Sequence, residues 1–304
     1  MEELSLPITV IVSTYNAERW LEKVLLGYFV QSHKRFEIVV ADDGSGPETA
    51  RLVATFADLG SVPVTHVWHE DRGYRRQEIL NNAILHARYD YLVFTDGDCI
   101  PRRDFLKVHA CLAQPGRFLS GGYCKLDMST SMKIGADDII DGTCFEPAWL
   151  RARQRLGMSN RLKLGSGPAA ARFLDATTTA RATFNNCNSS AWKRDILAVN
   201  GYDERMKYGG ADRELGERLA NAGITGLQIR HRAVCVHLDH DRPYRTAESL
   251  RDSREIRRET RRLRRVRTPF GIDRGLPHAS PDGTGDRHGW HAALPSREEH
   301  GRSG

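Results

Sequence analysis

No apolar run in this 304-residue chain approaches the roughly 18 residues that cross a bilayer. The N-terminus, Met1-Glu2-Glu3-Leu4, is acidic and leads almost at once into a strand pattern, unlike a secretory leader. Cysteine is sparse: Cys99, Cys111, Cys124, Cys144, Cys187 and Cys235 are scattered without C-x-x-C spacing. That excludes a disulfide framework and fits a reducing, cytoplasmic setting. The first strand is not followed by G-x-G-x-x-G, which argues against a dinucleotide fold, and no G-x-x-x-x-G-K-[ST] loop occurs. A net positive excess is also absent from most of the chain. The net charge is +6, and the segment 245–267, with ten arginines against four acids, accounts for it alone. A near-neutral body with one basic appendage does not look like a nucleic-acid-binding core.

What is present is an alternation of apolar runs and helical patterns. Residues 7–13 read as a buried strand, and 17–30 carry Trp20, Leu21, Val24, Leu25 and Tyr28 at helical spacing. A second strand over 36–41 runs into Asp42-Asp43-Gly44-Ser45, and a second helix covers 47–57. Residues 64–68 form a third strand, followed by Arg-rich 72–76 and a helix over 78–88. The next strand, from Tyr91, ends in Asp96-Gly97-Asp98. Strands and helices alternating at this spacing predict a doubly wound α/β sheet that is mostly parallel. Ligands of such sheets sit at the carboxyl ends of the strands. Two carboxylates one residue apart at such an end repel each other unless a cation lies beside them, and hard oxygen ligands suit Mg²⁺ or Mn²⁺.

Further along, 104–112 reads as a helix, 118–126 as one strand with Gly121-Gly122 inside it, and 147–161 as a basic amphipathic helix, either an ordinary solvated one or one lying at an anionic membrane face. Residues 224–231 and 233–237 form the last strand region, and a helix occupies the basic segment. That helix can dock on the domain, reach anionic lipid or sit solvated. Beyond Pro269 the Gly, Pro, His and Ser content predicts a disordered tail. A zinc site from Cys235, His237 and His240 lacks a fourth ligand in spacing.

Val10-Ile11-Val12-Ser13-Thr14-Tyr15-Asn16, Ile38-Val39-Val40-Ala41-Asp42-Asp43-Gly44-Ser45 and Asp96-Gly97-Asp98, in this order, resemble family 2 glycosyltransferases of the GT-A fold. The resemblance implies a nucleotide-sugar donor, most often UDP-linked. It places Thr14, Asn16, Asp42, Asp43 and Asp96 at the nucleotide, with Arg75 and Asn81 of the Gly73-Tyr74-Arg75 segment and its helix. Metal ligands would be Asp96, Asp98 and His237, with His240 second. The stretch Asn185–Glu204, followed by Tyr208-Gly209-Gly210-Ala211-Asp212, resembles the acceptor region of β-1,4-galactosyltransferases and bacterial chondroitin-type polymerases. By that resemblance Asp212 is the catalytic base, and Asn188, Tyr208, Gly209, Gly210 and Arg213 meet the acceptor. The family's Trp is Tyr208 here and its Glu is Ala211. A glycan or glycolipid acceptor in cell-surface polysaccharide synthesis, and an inverting displacement, are implied.

The expected organisation is a GT-A domain over 1–242, with a nucleotide-sugar half (1–126) and an acceptor half (127–242). A basic helix over 243–268 and a tail over 269–304 complete it. A sugar nucleotidyltransferase would want a glycine-rich first loop, which Ser13-Thr14-Tyr15-Asn16 is not. A non-catalytic binding module is the other alternative, kept open by Ala211.

Overall fold

The computed structural model describes residues 6–241 and 244–273. Ten strands are present among them: β1 (Ile8–Thr14), β2 (Phe36–Asp42), β3 (Val64–Trp68), β4 (Tyr91–Asp96), β5 (Cys99–Pro101), β6 (Arg117–Ser120), β7 (Gly122–Lys125), β8 (Ser189–Trp192), β9 (Thr225–Gln228) and β10 (Val234–His237). The first helices are α1 (Glu18–Phe29), α2 (Pro47–Asp58), α3 (Arg76–His86) and α4 (Phe105–Leu112). Five short ones follow: α5 (Met128–Lys133), α6 (Ala136–Ile140), α7 (Pro147–Arg151), α8 (Met158–Gly165) and α9 (Pro168–Thr177). The last are α10 (Lys193–Ala198), α11 (Ala211–Asn221) and α12 (Ala247–Arg262).

Seven strands make one mixed, mostly parallel sheet in the order β3-β2-β1-β4-β8-β6-β9, and β5-β10-β7 make a second, smaller sheet. Every residue of β1 and β2 is buried, as expected of parallel strands covered on both faces. Their side chains alternate between two cores. Ile8, Val10, Val12, Ile38 and Val40 join the core beneath α1 and α2, whereas Ile11, Val39 and Ala41 join the one beneath α3 and α11.

The antiparallel member, β8, is Ser189-Ser190-Ala191-Trp192, a strand hidden in a polar stretch that reads as a loop. Its hydroxyls find partners inside. Ser190 Oγ lies 2.8 Å from both the Tyr91 hydroxyl and His109 Nδ1. The strand expected over 118–126 is broken at Gly121 into β6 and β7, which belong to different sheets. The Asn188 carboxamide lies where a Gly121 side chain would begin, with its oxygen 2.0 Å from that point. The helix expected over 147–161 is two short pieces, α7 and α8, so no continuous amphipathic face exists there.

The basic segment forms α12, which docks on α11. Thr260 Oγ1 donates to Glu214 at 2.8 Å, and Arg257 and Arg261 pair with Glu217 at 2.6 and 3.0 Å. Residues 269–273, placed in the tail by composition, are held: Glu204 N donates to Phe270 O, and Ile272 N to Asn200 O. Residues 274–304 lie outside the described part. Among the described residues no helix is long and apolar enough to cross a membrane.

His109 is fully buried between Ser190 and Asn188, and burial pushes its imidazole down to about 4 from an ordinary 6.5. The folded state therefore resists protonating it. Stability from this group is complete above about pH 6.5 and is lost as pH falls toward 4, by up to about 3 kcal/mol. Urea melts should show a His109→Gln variant with a flatter stability profile than wild type between pH 6.5 and 4. Parallel profiles would show that His109 does not contribute in that window.

Candidate active site

Strand register assembles the site. Thr14 is opposite Asp42, and Ser13 is opposite Asp96, so three parallel strands end side by side in polar residues. Each carboxylate there has its own partner. Asp42 is wholly buried, with His66 Nε2 donating to Oδ2 at 2.9 Å and the Ser45 N–H to Oδ1 at 2.8 Å. Asp43 Oδ1 receives His69 Nε2 at 2.8 Å, and the Arg75 N–H straddles both oxygens at 3.2 Å. Gly44, at φ +98°, lets the following loop close: a side chain there would begin 2.6 Å from Asp71 Cα.

Several expected ligands are therefore structural. Asp42 is a turn and strand-pairing residue with no exposure. Asn16, at φ 43°, clasps the first two loops together, its Oδ1 accepting Gly46 N at 3.0 Å and its own N–H donating to Ser45 Oγ at 2.8 Å. Asn81 is turned inward: Nδ2 donates to Tyr202 O and Glu204 Oε1, both at 3.0 Å, and Oδ1 accepts Tyr202 N at 2.7 Å. It braces α3 against the 201–204 turn. Asn188 is buried and bonds Gly122 O, Ala233 O and His109, joining the two sheets instead of meeting an acceptor. The Arg75 guanidinium reaches Glu70 O and lies 3.3 Å from Glu78. What faces inward near Asp43 is a set of buried atoms without hydrogen-bond partners: Thr14 Oγ1, His69 Nδ1 and Arg75 Nε.

Asp96 and Asp98 diverge. Asp96 pairs with Arg76, which also donates to Ser13 Oγ at 2.7 Å, and Ser13 Oγ lies 3.1 Å from Asp96. Asp98, after the turn at Gly97, faces two imidazoles. His240 Nε2 lies 2.8 Å from its Oδ2, and His237 Nε2 lies 3.8 Å away. Burial alone would raise this carboxyl, but the His237 charge and the His240 hydrogen bond hold it at about 2. Ligand atoms of Asp98, Cys99 and His237 lie within 4.8 Å of one another. Asp96, expected as a metal ligand, is outside that group because Arg76 holds it. His237 Nδ1 donates to Leu238 O at 2.8 Å, which turns Nε2 toward Asp98. Burial holds Cys99 as a neutral thiol. A carboxylate and an oriented imidazole suit a divalent cation such as Mn²⁺ or Mg²⁺.

Asp212 sits in the first turn of α11, behind Gly210 at φ 102°. Burial raises its carboxyl above the usual range, opposed by the Arg213 N–H at 2.8 Å and by the Arg76 charge, and reinforced by Asp96. Asp212, Arg76 and Asp96 thus share one field. Gly209 and Gly210 do not open toward this cleft. They let α12 approach: side chains there would begin 3.2 Å from Leu250 and Ser253 and 3.4 Å from Arg257. Ala211 faces the core at 5% exposure, so packing accounts for the small residue. Tyr208 packs at a tilt against Tyr244, ring centroids 5.2 Å apart, and Tyr244 against Tyr74 at 5.5 Å. Arg213 is exposed. Sequence reading overlooked His66, His69, Arg76 and Tyr244. The spacing His66-x-x-His69 at the end of a strand beside an acidic one was the available signal.

A mixed seven-stranded sheet with acids at its carboxyl edge and helices on both faces is the GT-A architecture. Two solved structures share it. A mannosyltransferase from Pyrobaculum calidifontis, in complex with GDP-Man and Mn²⁺, superposes with TM-score 0.55 at 21% identity over 86% of this chain and 64% of that one. S. aureus TarS 1-349 in complex with UDP-GlcNAc gives 0.54 at 15% identity, over 79% and 60%. The glycosyl transferase family 2 model matches residues 9–118. Validoxylamine A glucosyltransferase of Streptomyces hygroscopicus subsp. limoneus is 26% identical over 78% of this chain, which spans about half (52%) of that protein.

The Arg76–Asp96 pair is about three-quarters buried, with 24% and 27% of the side chains exposed. Arg76→Met should destabilise the fold by about 1–2 kcal/mol in urea melts, because Asp96 loses its counter-charge. The double variant Arg76→Met with Asp96→Asn should lose less than the sum of the single changes. Strict additivity would show that the two side chains are not coupled.

Proposed function

We propose that this chain is a metal-dependent, inverting glycosyltransferase. It would move a sugar from a nucleotide-sugar donor, UDP-linked in our reading, to a hydroxyl of a glycan or glycolipid acceptor. The observation that carries this is the carboxyl edge of the sheet, where Asp98 meets His237 and His240 while Arg76 pairs with Asp96 within the field of Asp212. The family match over 9–118 supports the donor half, 1–126. The acceptor half, 127–242, lies mostly beyond that match, and its likeness to galactosyltransferases and chondroitin-type polymerases rests on the 185–212 residues alone.

Nucleotide would lie along Thr14, Asp43, His69 and Arg75, whose inward polar atoms can bond a base or ribose. A divalent cation held by Asp98 and His237, with His240 beside them, would offset the charge growing on the departing diphosphate. Arg76 holds Asp96 at the floor of the cleft and keeps its negative charge from adding to that of the diphosphate. A sugar hydroxyl titrates far above neutrality, so its attack needs a carboxylate that takes the proton as the bond forms. Asp212 fills that role: Oδ1 accepts the Arg213 N–H, and Oδ2 receives the proton. A single base with no second carboxylate acting as nucleophile gives direct displacement with inversion. Tyr208 and Arg213 flank the acceptor side. The outward arginines of α12 (Arg251, Arg254, Arg258, Arg262) support our reading of peripheral contact with an anionic membrane face, the inner leaflet for a cytoplasmic enzyme.

Incubation with UDP-, GDP- and TDP-sugars, with Mn²⁺, Mg²⁺ or EDTA, tests the reading. One donor should be hydrolysed slowly, and EDTA and Asp98→Ala should each abolish its turnover. Silence across the panel, with no donor binding by calorimetry, would overturn it.

A further inference from the structure

A cavity of about 260 Å³ opens on the far side of the small sheet, lined by Tyr123, Lys125, Asn160, Lys163 and Arg230. Its place follows from strand order. Moving across β5, β10 and β7 leads from Asp98 and Cys99 to His237 and then to Tyr123 and Lys125, away from the nucleotide edge. Tyr123 forms a shared wall, its ring centroid 5.7 Å from that of His237. Arg213, next to the proposed base, lies near enough to Tyr123 to affect its ionisation. The cavity therefore adjoins the reaction centre on the acceptor side.

The charge in the cavity is one-sided. Lys163 is 6% exposed, yet its ammonium donates only to neutral oxygens, Tyr123 O at 2.8 Å and Asn160 Oδ1 at 3.0 Å. An ammonium has three donors, so one is left over. Burial, and then the Arg230 charge, push its pKa down, as expected of two cations that share a poorly solvated space. Among the described residues no ion pair engages Lys163 or Arg230, while Lys125 at the rim pairs with Asp239 at 3.5 Å. Two cations lining one cavity repel each other unless an anion joins them. An ammonium point charge and a planar guanidinium fork together suit a phosphate or carboxylate.

We propose that this pocket binds an anionic group, phosphate or carboxylate, borne by the acceptor, so that the acceptor is a charged glycan and not a neutral one. The word acceptor rests on the transferase reading above; anion binding at Lys163 and Arg230 does not. The test uses the full chain in metal-free buffer, with glycerol 3-phosphate and glucuronate as charged probes and glycerol and glucose as neutral counterparts. Vesicles with and without phosphatidylglycerol are a further arm, and binding is followed by calorimetry or ligand-observed NMR. At least one soluble anion should bind and its neutral counterpart should not. Lys163→Met and Arg230→Gln should each weaken that binding by about tenfold. UDP binding in the presence of Mn²⁺ should stay within about twofold of wild type in both variants. Should Lys163→Met not fold, Arg230→Gln decides alone. No binding of either soluble anion overturns the proposal, as does binding that both variants retain. Binding confined to anionic vesicles and indifferent to both substitutions overturns it too, since lipid headgroups would then be met elsewhere on the surface. Failure of wild type to bind any of UDP, GDP and TDP with Mn²⁺ present, with anion binding intact, would instead overturn the transferase reading and leave the pocket standing.

Discussion

Crowding of carboxylates at one edge of a sheet is the constraint around which this structure is arranged. The parallel register of β1, β2 and β4 brings Asp42, Asp43 and Asp96 to one edge, and the turn at Gly97 adds Asp98. Four like charges so close would each be pushed toward the neutral form. Each is instead given its own partner: Asp42 has His66, Asp43 has His69, Asp96 has Arg76, and Asp98 has His237 and His240. These partners come from three different segments. The site is thus tied to β3, the start of α3 and the end of β10, and cannot form until they are packed. Asp212, carried in by α11, has no basic side chain bonded to it among the described residues, and burial raises its carboxyl.

A second polar seam holds the two sheets in register. Asn188 bonds Gly122 O and Ala233 O across the break at Gly121, and His109 links it to Ser190 and Tyr91. The seam fixes where β10 leaves the small sheet and therefore where His237 meets Asp98. The same small sheet separates the proposed metal-binding side from the cationic cavity, so the distance between the two is set by strand spacing. A buried Glu214–Arg218 pair, joined by Thr260, anchors α12 and with it the α11 turn that carries Asp212.

The first half of the fold was legible because its signals are local. Buried strands that run straight into acids, followed by helical periodicity, read directly as an α/β edge; Asp98 lies beside His237, and Asp96 and Asp212 lie around Arg76. The failures have a common physical cause. Asn16, Asn81 and Asn188 are polar residues in loops or at element ends, and nothing in a single sequence separates an asparagine facing a ligand from one bonded to distant backbone. Tyr202, which Asn81 holds, is 121 residues away from it. β8 was hidden because its buried hydroxyls are satisfied by Tyr91 and His109, from elements far back in the chain. Gly209-Gly210 read as room for substrate, whereas the space admits α12, another long-range packing fact. Arg76 was passed over for Arg75 because two adjacent arginines are indistinguishable until the start of α3 fixes which one points at Asp96.

The central claim is that Asp212 performs proton transfer in a cleft whose other residues bind donor and metal. Its most direct test is an Asp212→Asn variant, in which turnover of the accepted donor and the affinity for its nucleotide are measured side by side. The account predicts nucleotide affinity within about twofold of wild type and turnover lower by about a hundredfold or more. Turnover within a few-fold of wild type would show that another group takes the proton, and would remove Asp212 from the chemistry.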